Sequence, residues 1–384
     1  MTTPIAGSQR GQVTERVFKS PSKYIQGPAA LQNAAKYLGV LGRAPLLTCD
    51  AFVYNLAGKQ LIEALEAAEL KVTHVEFGGE ASVQEVDRLA SIGLQNKNDF
   101  VIGIGGGKTL DTAKTVASKL KAEVASVPTT ASTDAPTSAA AVLYHPDGQF
   151  DHYVFFERNP TIVLIDTSIV VRAPHRFLAA GIGDALSTNI EARLTTNRVN
   201  FGGGIPPELS VAIREKCEEI LLKYGKLAYE ANKAGVVTPA FEAVVEANTL
   251  LSGLGFESGG IAAAHAIHNG LTAIEELHHL LHGEKVAFGI VAQLVLSNSP
   301  PEELEKYLTF LLSVDLPITF EQLGIPNVTD EQIRAVAKLA TVETETVWWV
   351  DSVINEDLVF GAIKAADAIG REFVKKTGYK NSRT

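Results

Sequence analysis

The sequence predicts an α/β N-terminal domain followed by an all-α C-terminal domain. Up to about residue 173, short runs rich in β-branched residues alternate with helical patterns, which is typical of a sheet covered by helices. From residue 174 onward, long stretches with helical periodicity dominate. A chain of 384 residues has room for two hydrophobic cores. We therefore expect the two domains to cover residues 1–173 and 174–384.

The elements of the first domain follow from apolar runs that end at turn residues. Helices are expected at 55–70, 82–95 and 109–121, and Ser82 is a suitable N-cap for the second. Pro146, Asp147 and Gly148 predict the turn of a hairpin. The expected strands are 44–49, 71–77, 100–104, 123–127, the hairpin over 140–156, and 161–166.

The second domain is expected to consist of helices alone. Its apolar residues recur at the spacing of one helix face, and the β-branched alternation of the first domain nearly vanishes. The expected helical stretches are 174–196, 206–234, 240–254, 260–274, 284–296 and 358–376.

The composition is that of a globular enzyme, with 46% apolar and 20% charged residues. The net charge of -10 argues against nucleic acid or an anionic membrane as a partner. No apolar run approaches the ~20 residues that span a bilayer. Two cysteines provide neither a disulfide framework nor a cysteine-rich zinc site, which favours a reducing, cytoplasmic location. Residues 1–16 are expected to be a frayed tail, with a mitochondrial targeting segment as the open alternative.

A glycine-rich loop follows the strand expected at 100–104. The run GIGGGKT (103–109) opens the next helix, so backbone N–H groups and the positive helix end can hold a phosphate. The dinucleotide pattern G-x-G-x-x-G fails because Lys108 stands at its last glycine, and the P-loop pattern fails because Ile102 stands at its first. A tight turn without a ligand is the weaker alternative, and the loop alone leaves the kind of nucleotide open.

Asp50 directly follows the first expected strand. A carboxylate at the carboxyl end of a strand can accept hydrogen bonds from a ribose diol, which favours NAD over NADP. By position alone, an ordinary aspartate of a surface turn explains the residue equally well.

Histidines cluster in one part of the second domain. Five of the nine lie in one short window, and His265 and His268 are three residues apart on one helix face. Because neutral imidazole is the commonest side-chain metal ligand, the window predicts a metal site. Asp184 is a candidate third ligand, since a buried carboxylate in the small, apolar stretch GIGDALST needs a cation. The members of the window are His265, His268, His278, His279 and His282.

Four segments together resemble the polyol dehydrogenase branch of the iron-containing alcohol dehydrogenase superfamily. They are GGGKTLDTAK (105–114), VPTTASTDAPTSA (127–139), GIGDALST (181–188) and ESGGIAAAHAIHNGLTAIEELHHLLHGEKVAFG (257–289). The resemblance extends from about residue 24 to residue 379. It implies a dehydroquinate synthase-like fold, in which a nucleotide-binding α/β domain precedes a helical metal-binding domain.

The resemblance also implies an activity and its site. The activity is NAD-dependent oxidation of glycerol to dihydroxyacetone, the reverse reduction, and turnover of other small vicinal diols. Zn²⁺ would be bound by Asp184, His265 and His282, and Asp134 and His265 would act at the substrate. A homo-oligomer is implied, with an octamer as one expected form. The implied NAD contacts are Asp50 at the adenosine ribose, Gly105, Gly106, Gly107 and Lys108 at the phosphates, and Thr129, Ser132, Ser138, Ala140 and Tyr144 along the cofactor.

Two departures from the family pattern concern the metal. The segment between His265 and His282 is one residue shorter, which leaves His279 and His278 as alternatives to His282. Thr188 stands where iron-type members carry a fourth ligand, a histidine four residues after the aspartate. The missing imidazole favours a three-ligand zinc site over iron.

Three alternatives remain. A sister enzyme would act on a phosphorylated polyol such as glycerol-1-phosphate, or as a dehydroquinate synthase, and would need cationic groups at the substrate. The metal-bearing segments offer only Arg193 and Lys285. The second alternative is a protein that binds a nucleoside triphosphate through GGGKT, and the third is an inactive relative kept as a binding protein.

Overall fold

The structure, a computed structural model, describes residues 13–351 and 353–379. Most of the segment read as a tail or targeting peptide therefore lies outside the described residues. The chain forms two compact units. The boundary expected between residues 173 and 174 stays a prediction. The sheet unit contains residues 19–178 and 230–253, and the helical unit contains the described residues among 13–18, 179–229 and 254–379.

Six parallel strands form the main sheet of the sheet unit. Two further strands lie outside it, so that the strands in chain order are β1 (Lys23–Gly27), β2 (Pro45–Cys49), β3 (Thr73–Glu76), β4 (Phe100–Gly105), β5 (Glu123–Pro128), β6 (Ala140–Tyr144), β7 (Phe150–Phe155) and β8 (Ile162–Asp166). The order across the sheet is β1-β8-β5-β4-β2-β3, and β6 and β7 form a separate antiparallel hairpin. Because the six strands are parallel, all their carboxyl ends lie at one edge.

Apolar groups cover both faces of this sheet. Leu47 and Ile102 belong to one buried cluster, whereas their chain neighbours Leu46 and Val101 belong to a second. Successive strand residues point to opposite faces, so a strand buried on both sides reads as a continuous apolar run. This is why β2, β4 and β8 could be located from the sequence.

Helices make up most of the remaining chain. The expected cap Ser82 is confirmed, since its Oγ accepts a hydrogen bond from Glu85 N (3.3 Å). The helices are α1 (Ala34–Leu38), α2 (Ala51–Val53), α3 (Lys59–Ala67), α4 (Val83–Asn96), α5 (Gly107–Leu120), α6 (Thr167–Val170), α7 (His175–Ala192), α8 (Glu208–Lys233), α9 (Pro239–Glu246), α10 (Ser252–Gly259), α11 (Ala263–Leu271), α12 (His282–Leu296), α13 (Pro301–Ser313), α14 (Asp330–Ala340) and α15 (Glu356–Thr377).

A segment from the second half of the chain completes the sheet unit. Residues 230–253 carry α9, whose Glu242 bonds to two residues of the N-terminal half. The backbone carbonyl of Glu242 accepts a hydrogen bond from Gln26 Nε2 (2.9 Å), and its Oε1 accepts one from Thr167 Oγ1 (2.5 Å). The sheet unit is therefore discontinuous in sequence.

Three helices of the helical unit approach one another at glycines. A Cβ placed on Gly283 of α12 would lie 1.8 Å from the carbonyl oxygen of Ala180 in α7. A Cβ placed on Gly289 of α12 would lie 2.4 Å from the carbonyl oxygen of Ala264 in α11. Glycine thus lets α12 pack against the backbones of both α7 and α11.

The fold class expected from the sequence is confirmed: a parallel α/β unit and a helical unit. The expected hairpin and its turn are also confirmed, and Gly148 adopts φ 89° there. Strand β1 and helices α1, α2, α6, α13 and α14 were not expected, and neither was most of α10. Among the described residues, no helix is both long and apolar enough to cross a membrane.

Candidate functional site

Helices α7, α11 and α12 each contribute one side chain to a cluster in the helical unit. Asp184 comes from α7, His265 from α11 and His282 from the first position of α12. Asp184 Oδ1 lies 3.3 Å from His265 Nε2 and 3.2 Å from His282 Nε2. One ligand atom from each residue lies within 4.8 Å of the others. The structure therefore brings together the three residues predicted to bind the metal.

The alternative histidines lie elsewhere. His278 and His279 are exposed, and His278 Nε2 donates to the backbone carbonyl of Thr272 (2.8 Å). Thr188, one turn after Asp184, is buried, and a Cβ on Gly255 would lie 2.7 Å from its methyl group. That position supplies a packed methyl group where an iron-type member would supply an imidazole.

The charges of the cluster favour a cation at its centre. Burial would raise the pKa of Asp184, but His282 and His265 lower it below the ordinary value. Burial would likewise lower the pKa of His265, but Glu191 and Asp184 raise it well above 6.5. A fully buried carboxylate is costly without a positive partner. The surroundings of Asp184 are thus arranged for positive charge, whether it is carried by protonated imidazole or by a metal ion.

The donor set fits a divalent transition metal. Two imidazoles and one carboxylate are ligands of catalytic zinc, and ligands about 2.0–2.1 Å from a tetrahedral zinc ion are about 3.3 Å apart. The two separations from Asp184 Oδ1 match that spacing. Three protein ligands leave a position for a substrate oxygen. The same donors can also hold iron, so the geometry alone does not choose the metal.

Sequence reasoning missed Glu191, which contacts a predicted ligand. Its Oε2 lies 2.6 Å from His265 Nδ1, and its side chain is fully buried. Glu191 follows Asp184 by seven residues on α7, which places both on the same helix face. That spacing was the signal in the sequence that could have identified it.

A buried polar chain leads away from His268. His268 Nδ1 lies 3.0 Å from Asn269 Oδ1, and Asn269 Nδ2 donates to Glu345 Oε1 (2.9 Å). The rings of His268 and His282 have centroids 4.1 Å apart. Burial, with His282 and Lys285 nearby, lowers the pKa of His268 well below 6.5. His268 is therefore a neutral neighbour of the cluster.

Glu345→Gln is expected to make the free energy of unfolding less dependent on pH. Burial raises the pKa of Glu345 from 4.5 to about 7. The folded chain therefore holds the carboxyl proton of Glu345 more tightly than the unfolded chain does. The stability that this proton contributes is present below about pH 4.5 and is lost as the pH rises through about 7. The free energy of unfolding would be measured by denaturant titration near pH 5 and near pH 8. Between these two pH values it should fall by up to about 3 kcal/mol more in the parent chain than in the variant.

The exposed neighbour Glu343 provides the control for this prediction. Glu343→Gln removes the same charge from the same loop without changing a buried group, so it should retain the pH dependence of the parent chain. An equal pH dependence in Glu345→Gln and the parent chain would contradict the assignment.

The residues predicted to contact the cofactor gather at the carboxyl edge of the sheet in the sheet unit. Asp50 follows β2, the glycine loop follows β4, and Thr129 follows β5. Thr129 N donates to the carbonyl oxygen of Gly105 (3.0 Å), which joins two of these loops. Asp50 Oδ1 accepts a hydrogen bond from Val53 N (2.8 Å) and caps α2. Its second carboxylate oxygen is thus the one suited to a ribose diol.

The glycine loop begins α5. Gly106 precedes the helix and brings no side-chain cap to it, which leaves room for an anion at the positive end. Lys108 Nζ lies 2.6 Å from Glu80 Oε2 and 5.2 Å from the centre of the Tyr144 ring. The structure thus places a cation and an aromatic ring, both predicted cofactor contacts, side by side at this loop.

A buried lysine holds the loop that follows β5. Lys114 Nζ pairs with Asp111 Oδ1 (2.8 Å) and donates to the carbonyl oxygens of Ala135 (2.9 Å) and Ala140. It also lies 3.4 Å from the carbonyl oxygen of Ser138. Ser138 and Ala140, two predicted cofactor contacts, therefore depend on a cation to which the sequence reasoning gave no role.

The remaining predicted residues lie on the same loop. Asp134 Oδ2 accepts a hydrogen bond from Ser252 Oγ (2.9 Å), and Ser132 Oγ lies 3.1 Å from Thr130 Oγ1. Asp134 is half-buried in the sheet unit, whereas His265, the other residue predicted to act at the substrate, belongs to the helical unit.

Comparison with known proteins adds independent information. The family model described as iron-containing alcohol dehydrogenase matches residues 21–167. A glycerol dehydrogenase of Pseudomonas putida is 47% identical over 363 residues, which cover 94% of this chain and 100% of that protein. A glycerol dehydrogenase of Escherichia coli O6:H1 is 46% identical, with 94% of this chain and 99% of that protein covered. The structure of glycerol dehydrogenase from Schizosaccharomyces pombe matches with a TM-score of 0.91 at 42% identity, covering 96% of this chain and 94% of that chain.

These findings confirm the resemblance seen in the four sequence segments. The similarity covers nearly the whole of this chain and of its relatives, so it includes both the sheet unit and the helical unit. The matching solved structure agrees with the fold described above. The chain therefore belongs to the iron-containing alcohol dehydrogenase family of oxidoreductases.

Proposed function

We propose that the chain oxidises glycerol to dihydroxyacetone with NAD, and catalyses the reverse reduction, at a zinc ion held by Asp184, His265 and His282. The observation that carries this proposal is the convergence of one buried carboxylate and two imidazoles at 3.2 and 3.3 Å. The names of the similar proteins support glycerol as the substrate. Other small vicinal diols present the same pair of neighbouring hydroxyls and are expected to react as well.

When bound, the metal ion supplies Lewis acidity that favours loss of the hydroxyl proton, and NAD supplies the hydride acceptor. The chain supplies the negative charge that would hold the metal ion and the side chains that would orient the substrate. Asp184 would contribute the negative charge that retains the cation, and His265 and His282 would supply their Nε2 atoms as ligands. Asp134 would accept a hydrogen bond from a substrate hydroxyl. His268, buried and neutral, supports the packing around His282.

The sheet unit would hold the cofactor. Backbone N–H groups of Gly105, Gly106 and Gly107 at the start of α5 suit the phosphates, and Lys108 adds positive charge. Asp50 suits the ribose diol and would repel a 2′-phosphate, which favours NAD over NADP. The remaining predicted cofactor contacts are Thr129, Ser132, Ser138, Ala140 and Tyr144.

Two features favour zinc and an uncharged polyol. Thr188 stands at the position where an iron-type site would have a histidine as a fourth ligand. Three ligands remain, as in catalytic zinc sites. A phosphorylated polyol would require several cations, but the metal-bearing segments offer only Arg193 and Lys285, and Arg193 is paired, with its Nη1 2.5 Å from Glu303 Oε1. We therefore rank glycerol ahead of glycerol-1-phosphate.

Removal of the metal is expected to abolish NAD reduction with glycerol, and Zn²⁺ is expected to restore it. Initial rates at 340 nm would be measured before dialysis against a chelator, afterwards, and after addition of Zn²⁺ or, without oxygen, Fe²⁺. The expected result is recovery with Zn²⁺ and weaker recovery with Fe²⁺. Recovery with Fe²⁺ alone would overturn the assignment of the metal while leaving the reaction in place.

Substrate and cofactor are tested in the same assay. Glycerol with NAD should exceed both glycerol-1-phosphate with NAD and glycerol with NADP. Higher rates with glycerol-1-phosphate would replace the proposed substrate. Full activity in the chelated protein would remove the metal site from the mechanism.

A further inference from the structure

We propose that Glu191 is a positioning residue which holds His265 in the tautomer that can bind the metal, and thereby sets the affinity of the site. This inference rests on the proposed metal site and deepens it. Its starting point is the 2.6 Å contact between Glu191 Oε2 and His265 Nδ1, formed where the glutamate is fully buried.

The contact fixes which imidazole nitrogen carries the proton. Glu191 Oε1 accepts hydrogen bonds from two backbone N–H groups at the start of α11, so the carboxyl group acts as an acceptor there, and its Oε2 faces His265 Nδ1 at 2.6 Å. His265 Nδ1 must therefore donate to it. In a neutral imidazole, a proton on Nδ1 leaves the lone pair on Nε2, the atom that faces Asp184 at 3.3 Å. Glu191 thus directs the basic nitrogen toward the predicted metal position.

The other oxygen of the same carboxylate holds the helix that carries His265. Glu191 Oε1 accepts hydrogen bonds from the backbone N–H groups of Ala262 (2.8 Å) and His265 (3.1 Å). Ala262, the N-cap of α11, provides no side-chain cap of its own. A buried carboxylate at the positive end of α11 satisfies donors that the helix itself leaves unpaired.

A neutral residue, Gln293, accepts hydrogen bonds from the two backbone N–H groups that lie between Ala262 and His265. Gln293 Oε1 accepts hydrogen bonds from Ala263 N and Ala264 N (2.8 Å each), and its Nε2 donates to the carbonyl oxygen of Ile190 (3.0 Å). Gln293 therefore anchors the same helix end through backbone contacts alone. Comparing variants of Glu191 and Gln293 therefore distinguishes two roles. Both residues anchor α11, but of the two only Glu191 also contacts the His265 imidazole.

The carboxamide in Glu191→Gln has nearly the same shape but only one acceptor oxygen. If that oxygen serves the two backbone N–H groups, the NH₂ group faces Nδ1 and favours the tautomer with the proton on Nε2. That tautomer cannot bind a metal until the proton moves and a hydrogen bond is lost. Loss of such an outer partner typically weakens metal affinity 10- to 100-fold.

The test is a competition titration of Zn²⁺ against a chromophoric chelator, with the full-length chain and three variants. We expect Glu191→Gln to bind Zn²⁺ 10- to 100-fold more weakly than the parent chain. Gln293→Met, which removes the neutral anchor at similar volume, should stay within about threefold of the parent affinity even if its Tm falls. Asp184→Asn defines the signal when the site is lost.

The outcomes separate this inference from the proposed function. Parent-like affinity in a folded Glu191→Gln protein would overturn the inference while the metal site stands. An equal loss in Gln293→Met would also overturn it, because anchoring of α11 would then explain the whole effect. If the parent chain binds no more Zn²⁺ than Asp184→Asn, the metal site itself fails, and the proposed function fails with it. Weak binding in Glu191→Gln alone supports the assigned role.

Discussion

Asp184→Asn is expected to yield a folded protein that neither retains zinc nor oxidises glycerol. Asparagine preserves the shape of the side chain but removes the negative charge that faces His265 and His282 at 3.3 and 3.2 Å. Lewis-acid stabilisation is worth several kcal/mol, and each 1.4 kcal/mol is tenfold in rate. Turnover should therefore fall roughly 1,000-fold or more, together with the zinc content of the dialysed protein.

The control for Asp184→Asn is the same substitution at an exposed position. Asp330 at the start of α14 is 60% exposed and pairs with Lys364, so Asp330→Asn should retain both zinc and activity. Zinc content would be measured by atomic absorption after dialysis, and turnover by NAD reduction. If Asp184→Asn kept full activity, the proposed ligand set would be wrong.

Gly283→Ala is expected to lower the free energy of unfolding by about 3 kcal/mol or more. The added Cβ would lie 1.8 Å from the carbonyl oxygen of Ala180, an atom of the α7 backbone that cannot turn aside as a side chain would. Helices α7 and α12 would have to separate. Because Asp184 and His282 adjoin the point of contact, zinc affinity should fall along with stability.

Gly361 provides a matched control within a helix. It lies on the exposed side of α15, and a Cβ placed there meets no atom within 4 Å. Gly361→Ala should therefore leave stability unchanged or raise it by about 0.5–1 kcal/mol, the ordinary gain of alanine over glycine in a helix. Denaturant titration of both variants would separate steric contact from helix propensity. Equal midpoints would contradict the close approach of α7 and α12.

The sequence was most informative where chemistry demands rare residues. A window of histidines and an aspartate in an apolar helix are unusual, and the structure brings Asp184, His265 and His282 together. Glu191 was missed because its role depends on two separate features. It faces the same side of α7 as Asp184, and the α11 backbone begins directly beside it. The shared face of α7 can be predicted from helical spacing, but the position of α11 beside Glu191 is known only from the tertiary structure.

Lys114 was missed for a related reason. Its motif contributed to the resemblance, yet a lysine on a helix usually extends into solvent. Here α5 is covered on that side by the loop carrying Ser138 and Ala140, whose carbonyl groups surround the ammonium. The cost of burying the charge is offset by Asp111 at 2.8 Å. Nothing local to residues 105–120 indicates that this loop returns over the helix.

Strand β1 lacked the pattern on which the other strand assignments depended. Strand β1, with the sequence KYIQG, lies at the edge of the sheet with β8 as its single neighbour. Its residues are partly exposed, so no apolar run indicates it. The buried strands β2, β4 and β8, by contrast, read as apolar runs because both of their faces are covered.

The discontinuity of the sheet unit affects the order in which the protein can fold during synthesis. Its last strand, β8, ends at Asp166, but α9 follows more than seventy residues later. Phe241, Val244 and Val245 of α9 are fully buried, and Glu242 supplies acceptors to Gln26 and Thr167. Until residue 253 has left the ribosome, the nascent N-terminal half exposes the surface that α9 later covers, and chaperones can bind there. A gene truncated just after β8 therefore encodes an unfinished core rather than an independent cofactor-binding module.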